Sequence, residues 1–371
     1  MAFDTKFLKQ LSAAYQQQHI SDSALKQLLA LQYGKDSDPE RTILDGEHPS
    51  EAANTLEMHS AAGQNVPKFS IIIATHNRVD MVCRCIDSIL AQKYPSIEVV
   101  VVDDCSTDNT QEVLCNKYPS VRYERNAKNL GPGGTRQKGY NLSTGDYVIF
   151  VDDDDFYVEP LFFAKAAAIF GQHENVAMVC ANSAVYDATR NELSFLPLSF
   201  CGMMSGKQYL EGFMSKYRKP KSTFPTVLRK TVLDKAGFRD MWMMNDTSIY
   251  LRTLCFGDVY TLPDWVGVYW VHASNIGKNL PHKYIIENLD EKHNIYPIAK
   301  KLFGKSMPQW YHKQLMITIN HYLNSRLLSS WRVLSVLWWI LLYGHPTRKT
   351  LFRETIETHR KQLKKYKTKS N

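Results

Sequence analysis

The sequence predicts an α/β fold on a mostly parallel sheet flanked by helices, with helical extensions at both ends of the chain. Three observations predict it. From Phe69 onward, apolar runs of strand length alternate with helical periodicities in the order β-α-β-α-β, and strands joined through helices form parallel sheets with right-handed crossovers. Polar residues gather just after each run, at Thr75-His76-Asn77, Asp103-Asp104 and Asp152 to Asp155. The texture is polar and sparsely apolar before this stretch and helical after it, which divides the chain into 1–66, 67–275 and 276–371.

At 371 residues the chain can bury a large core, and its composition, 44% hydrophobic and 22% charged, is that of a soluble protein. The net charge of +8 is not spread evenly. Residues 332–371 hold ten Lys or Arg against Glu354 and Glu357, so the rest of the chain is formally neutral. Such an excess points to an anionic surface meeting that end of the protein. The seven cysteines (83, 85, 105, 115, 180, 201 and 255) lack paired C-x-x-C spacing. They read as reduced, mostly buried thiols of a cytoplasmic protein, with neither a disulfide framework nor a zinc site. No apolar segment opens the chain, so a secretory signal is not expected.

The N-terminal region reads as two helices. Phe7, Leu8, Leu11 and Tyr15 recur at helical spacing, as do Leu25, Leu28, Leu29 and Leu31 after a cap at Ser21 or Asp22, with Gly34 as the stop. Residues 35–68 read as linker, with a short helix near Glu51 to His59. An αα-hairpin docking on the main domain or on a partner is expected. In the central region the spacing predicts strands at 69–74, 97–102, 121–124 and 147–151. Helices are expected over 79–92, with Met81, Cys85, Ile89 and Leu90 on one face, and over 110–117. A Gly-rich turn, Gly131-Pro132-Gly133-Gly134, precedes a helix through Leu142. Beyond it come a helix at 161–170, a strand at 176–181, a helix opened by Asn245-Asp246-Thr247, and separate strands near 260–262 and 266–271. Residues 182–235 mix sheet and loop signals, and 276–371 are mostly helical.

The organising stretch is Tyr147 to Tyr157, where five apolar residues lead into four consecutive carboxylates. Like charges crowded at a strand end repel one another, and low-dielectric surroundings raise their pKa values. A divalent cation relieves that conflict, and clustered oxygen ligands suit Mg²⁺ or Mn²⁺. Capping the following helix would need only one carboxylate. Ligands in open α/β sheets sit outside the carboxyl ends of the strands, so the three polar loops are expected to meet in one crevice.

Five blocks follow one another in order: Ile71-Ile-Ile-Ala-Thr-His-Asn-Arg78, Val101-Val-Asp-Asp-Cys-Ser-Thr-Asp108, Asn129-Leu-Gly-Pro-Gly-Gly-Thr-Arg136, Gly145 through Asp155, and Asn245-Asp-Thr-Ser-Ile-Tyr-Leu-Arg252. With these blocks, over about 67–275, the chain resembles a family 2 glycosyltransferase of the GT-A fold. The resemblance implies inverting transfer of a sugar from a UDP-sugar, with Mn²⁺ or Mg²⁺ as cofactor. Asp154 would be a direct metal ligand, Asp152 would face the ribose or the metal, and Asp153 or Asp155 would assist. Asp103 and Asp104 would hold the uridine, Asp104 accepting the uracil imide N–H, although an Asx-turn or helix cap is the plainer role for either. Ala74, Thr75, His76 and Asn77 would line the nucleotide pocket, His76 standing where Tyr is commoner. Arg136 would reach the donor phosphates. Asp246 would be the general base, in a position pair where Asn245 replaces the usual Glu, while Asn-Asp-Thr-Ser is equally an N-cap sequence. His272 would lie near the metal or diphosphate, with a satisfied core histidine as the alternative.

The uncharged, Trp-bearing run from Val333 to Tyr343 is eleven residues long, short of the ~18 that a membrane span needs. With Arg332, Arg348 and the cationic stretch around it, it fits either a helix in the headgroup plane of an anionic membrane or a core helix with a basic tail. The first reading suits a glycan acceptor carried on a lipid at the inner face of the cell membrane, as in capsule or lipopolysaccharide synthesis. No nucleic-acid partner is expected. The competing classes are a non-catalytic nucleotide- or glycan-binding module of the same fold, and an Asp-dependent phosphohydrolase. The latter would carry its Asp-x-Asp after the first strand of the domain, whereas two βα units precede Asp152 here.

Overall fold

The structure, a computed structural model, describes residues 20–33, 66–272, 281–325 and 329–367. The expected helix around Phe7 to Tyr15, the stop at Gly34 and the short helix near Glu51 to His59 lie outside the described residues. The chain forms two compact units. One holds the described residues up to 204 with 220–242 and 257–272; the other holds 205–219, 243–256 and the described residues from 281 onward.

In the first unit, β1 (Phe69–Thr75), β2 (Ile97–Asp103), β3 (Arg122–Arg125) and β4 (Tyr147–Asp152) alternate with α2 (Val79–Leu90), α3 (Thr110–Lys117) and α4 (Gly131–Leu142). The strand order is β3-β2-β1-β4, all parallel. Alternation within the strands decides what each face covers. Phe69, Ile71, Ile73, Val99, Val101, Tyr147, Ile149 and Val151 share a core with Val82, Cys85, Ile86 and Ile89 of α2 and with Phe162, Phe163, Ala166 and Phe170 of α5 (Phe162–Gln172). The even positions face α4, where Tyr140 packs on Phe150. Strands buried on both faces read as continuous apolar runs, which is why 147–151 was legible. Leu90, expected inward, is exposed, because the buried stripe of α2 runs through 82, 85, 86 and 89.

The sheet continues as β9 (Thr226–Arg229), β6 (Val176–Asp187), β10 (Asp258–Val271) and β5 (Phe156–Tyr157), with β7 (Glu192–Phe195) paired to β6 and β8 (Gly202–Met204) paired to β10. β10 is parallel to β6, while β5, β7, β8 and β9 pair antiparallel. The two strands expected near 260 and 268 are one strand. Its register shifts between Thr261 and Trp265 and again between Trp265 and Gly267 absorb Leu262-Pro263-Asp264, and the Pro263 carbonyl accepts a hydrogen bond from Asn182 Nδ2 at 2.7 Å. A proline removes a ladder donor, and here the bulge accommodates it. The short helix α7 (Lys230–Lys235) follows β9.

Helix α1 (Asp22–Tyr33) begins at Ser21, whose Oγ accepts the Ala24 N–H at 3.3 Å. Ala24, Leu25, Leu28 and Leu29 join a core with Phe156, Val158, Ala184 and Trp265, so this helix docks on the main sheet. The cysteines are all free. Cys85, Cys180 and Cys255 are buried, Cys83 and Cys105 half-buried, and Cys115 and Cys201 exposed.

The second unit is helical: α6 (Gly206–Gly212), α8 (Asp246–Leu254), α9 (His282–Phe303), α10 (Met307–Ser325), α11 (Ser330–Tyr343) and α12 (Arg348–Lys367). Leu289, Ile295, Trp310, Tyr311, Ile319 and Trp339 are buried there. Burying each such side chain contributes about 1.5–3 kcal/mol. Arg252 of α8 forms a forked ion pair with Glu291 of α9, one arm at 3.0 Å. Among the described residues, no helix is long and apolar enough to cross a membrane.

Candidate active site

Parallel register sets the ends of three strands side by side. Thr75 pairs with Asp103, and Ala74 pairs with Asp152. The residues that leave these strands therefore begin from one row at the carboxyl edge of the sheet. The polypeptide is strained there: Asn77, Cys105 and Ser222 have φ of 53°, 67° and 68°. Non-glycine residues held in this region cluster at functional sites.

The Asn77 side chain joins two of the loops. Its Oδ1 accepts the Thr107 N–H at 2.7 Å, and its own N–H donates to Ser106 Oγ at 2.8 Å. His76 is exposed, its Nε2 lying 3.2 Å from Asn77 Nδ2. Asp103 is fully buried and accepts the Ser106 N–H at 2.8 Å and the Tyr123 hydroxyl. Asp104 accepts the Leu130 N–H at 2.7 Å, the Gly131 N–H at 2.9 Å and Asn126 Nδ2 at 2.9 Å. The Gly-rich segment is thus helical from Gly131, with Pro132 in the first turn, and a carboxylate 27 residues earlier in the chain meets its N-terminus. Gly131 has φ of 73°, a conformation that favours glycine. The helix at Thr110 is served separately by Asp108, whose Oδ1 accepts the Thr110 N–H at 3.1 Å.

The four aspartates after β4 have distinct surroundings. Asp152 is half-buried; it accepts from Arg136 Nη2 and, at 3.4 Å, from Ser222 Oγ. Asp153 is buried between Thr75 Oγ1 at 2.8 Å and Arg78 Nη1 at 2.9 Å. Burial nonetheless raises its carboxyl to about 6, against the pull of Arg78. Asp154 Oδ2 receives Arg78 Nη1 at 3.2 Å and lies 2.8 Å from His272 Nε2. Its carboxyl is raised by burial and then by the charge of Asp152. Asp155 is fully buried, and its Oδ1 accepts the Trp270 N–H at 3.2 Å. Burial, followed by the charges of Asp154 and Asp152, holds this carboxyl well above the usual range. Buried carboxylates that repel one another are the electrostatic setting that a cation relieves.

Asp152, Asp154 and Asp155 each present one carboxylate oxygen, and the three atoms lie within 4.8 Å of one another. This donor set of hard oxygens suits Mg²⁺ or Mn²⁺. Asp155 therefore joins the cluster more closely than its sequence position suggested, and His272 touches it through Asp154. Arg84 is a further contributor that sequence reasoning missed. Its Nη2 donates to the Asp154 carbonyl at 3.0 Å, and its guanidinium lies over Trp270 and Phe156 at 4.1 and 4.6 Å from the ring centroids. Nothing in the helical periodicity of α2 marks that residue. Arg78 likewise stood in a recognised block without an assigned role.

In the second unit, Asp246 is the first residue of α8. Asn245 is the N-cap: its Oδ1 accepts the Ser248 N–H at 2.8 Å, and Ser248 Oγ receives the Asn245 N–H at 3.2 Å. Capping therefore falls to Asn245, and the Asp246 carboxylate is paired with Lys219. Asp246 Oδ1 also accepts the Thr247 N–H at 2.6 Å.

The profile described as "Glycosyl transferase family 2" matches residues 70–231. A succinoglycan biosynthesis protein, ExoO, of Rhizobium meliloti is 38% identical over 99 residues, which is 26% of this chain and 28% of that protein. A GalNAc(5)-diNAcBac-PP-undecaprenol beta-1,3-glucosyltransferase of Campylobacter jejuni is 28% identical over 193 residues, covering 50% of this chain and 60% of that one. The chain thus spans less than two thirds of the length of these relatives. Among solved structures, residues 1–349 of S. aureus TarS in complex with UDP-GlcNAc superpose with a TM-score of 0.56 at 16% identity, covering 80% of this chain and 92% of that one. The shared architecture is the GT-A fold, and the match to the glycosyl transferase family 2 profile is confined to residues 70–231 of this chain.

Proposed function

We propose that this chain is an inverting glycosyltransferase that moves a sugar from a UDP-sugar to a hydroxyl of a glycan acceptor, with Mn²⁺ or Mg²⁺ bound at the aspartate cluster. The observation that carries the reading is the set of three carboxylate oxygens within 4.8 Å at the end of β4, one of them on a buried group whose other oxygen accepts from Trp270. The UDP-GlcNAc complex of TarS supports a UDP-linked donor. The metal, when bound, supplies positive charge that offsets the charge appearing on the departing diphosphate.

In this reading Asp154 and Asp152 hold the ion with Asp155, and Arg78 and His272 orient Asp154. Asp153 keeps Thr75 and Arg78 in place behind them. Asp103 and Asp104 hold the uridine side, with Ala74, Thr75, His76 and Asn77 at the edge of the base, and Arg136 serves the donor phosphates. Asp246 is the general base that takes the proton of the acceptor hydroxyl. The acceptor is a glycan on a lipid carrier of surface polysaccharide synthesis, met at the cytoplasmic side of the membrane by a peripheral protein.

A thermal-shift series over UDP-sugars, with Mn²⁺ present and absent, tests the reading. One UDP-sugar is expected to raise the melting temperature only when the metal is present. Asp154→Asn is expected to keep its far-UV circular dichroism while losing UDP release by on the order of 10²–10³-fold. Metal-independent donor binding, or full turnover in Asp154→Asn, would refute it.

A further inference from the structure

The exposed side of α11 carries an apolar surface remote in sequence from the aspartate cluster. Trp331, Leu334, Trp338 and Leu341 are 58%, 61%, 64% and 43% exposed. Their spacing puts them on one face of the helix, while Val333, Val336, Trp339 and Ile340 on the opposite side are buried. Trp339 Nε1 donates to Asp290 of α9 at 2.6 Å, which fixes the rotation of the helix and keeps the other two tryptophans outside. A groove lined by Trp331, Leu334, Trp338, Leu341 and Phe352 joins this face to α12. Arg348 and Lys349, both exposed, precede Phe352 by four and three residues and so share its side of α12. Lys361, Lys364 and Lys365 are exposed further along the same helix.

We infer that the α11 face and the cationic α12 together form a docking surface for an anionic lipid bilayer. Isolated exposed leucines need no explanation, but contiguous ones with two tryptophans do. Tryptophan suits the boundary between acyl chains and headgroups, and flanking Lys and Arg suit anionic lipid. A helix of 14 residues, buried on one side, lies in the interface and does not cross it. A second copy of this chain fits less well. A two-fold interface would place the same patch on itself, opposing two segments that each carry +8 over 332–371. The inference deepens the peripheral-membrane part of the proposed function and needs no assumption about the sugar chemistry.

Co-sedimentation of the full chain with phosphatidylcholine vesicles, with and without phosphatidylglycerol, tests it. Binding is expected only to the anionic vesicles, falling as salt is raised, with a blue shift of tryptophan fluorescence. The double variant Trp331→Ser/Trp338→Ser changes exposed positions only and is expected to lose about tenfold or more in partitioning. The triple variant Lys361→Glu/Lys364→Glu/Lys365→Glu is expected to lose as much at low salt. UDP release with a soluble acceptor should be unchanged in both, so a failure here is distinct from a failure of the Asp154→Asn test. Equal binding to neutral vesicles or unaltered binding by both variants would overturn the inference. So would a dimer that the tryptophan substitutions dissolve, or binding to duplex DNA without vesicle binding.

Discussion

His272 Nε2 lies 2.8 Å from Oδ2 of Asp154, bridging positions 118 residues apart. The same oxygen receives Arg78 at 3.2 Å. One oxygen of a buried carboxylate is thus met by two side-chain nitrogens, from the segments that follow β1 and β10. Removing the imidazole leaves Arg78 in place, so His272→Ala is expected to fold with a loss of about 1–2 kcal/mol. Groups that orient a metal-binding carboxylate typically contribute about 10–100-fold to affinity, and the Mn²⁺ concentration needed for the thermal shift should rise accordingly. An unchanged Mn²⁺ titration would leave His272 a packing residue only.

Lys219 pairs with Asp246 at a half-exposed position, with side-chain exposures of 22% and 32%. Partly solvated pairs of this kind contribute about 0–1 kcal/mol to stability. Lys219→Met should therefore leave denaturant unfolding nearly unchanged. If Asp246 takes the acceptor proton, turnover should fall by about 10-fold or more, because the carboxylate loses the contact that positions it. Normal turnover in this variant, measured as UDP release, would argue against that role for the pair.

Lys292 is buried, its ammonium donating to Asn288 Oδ1 at 3.1 Å and Thr318 Oγ1 at 2.6 Å. Burial lowers its pKa from 10.5 to about 8, against the charge of Asp246. Between these values the unfolded chain binds the extra proton, so this group's contribution to stability rises with pH through that window. Below pH 8 the cost is on the order of 3 kcal/mol. Lys292→Met is expected to be the more stable protein near neutral pH, with an advantage that shrinks toward pH 10.5. Urea midpoints of both proteins across that range give the comparison, and a difference independent of pH would contradict it.

Gly267 sits where β10 passes β5. A Cβ there would collide with the Phe156 carbonyl and come within 2.5 Å of the Phe224 ring. A backbone atom cannot move aside without carrying its neighbours, and Phe156 adjoins Asp155. Gly267→Ala is expected to cost about 1–3 kcal/mol and to weaken the Mn²⁺-dependent shift. A variant as stable as the parent would mean that β5 moves freely.

Much of the first unit was legible because its signals are local. Phe69 to Thr75 and Tyr147 to Asp152 are buried on both faces and therefore read as unbroken apolar runs; in the second unit, Asn245 caps α8 as its residue type suggested. Long-range pairing was not legible. The bulges that merge two expected strands into β10 depend on register with β6, and the outward turn of Leu90 depends on which side of α2 meets the sheet.

The sequence by itself determined the alternation of elements, the row of polar residues at the strand ends and the concentration of charge after 332, since each is written in neighbouring residues. Only the tertiary structure decided that Asp104 meets the N-terminus of α4, that Arg78 and His272 converge on Asp154, and that Asp155 completes the cluster. The physical reason is separation along the chain. Periodicity reports which face a residue occupies, whereas the partner of a buried charge is set by strand register and helix packing between segments far apart in sequence.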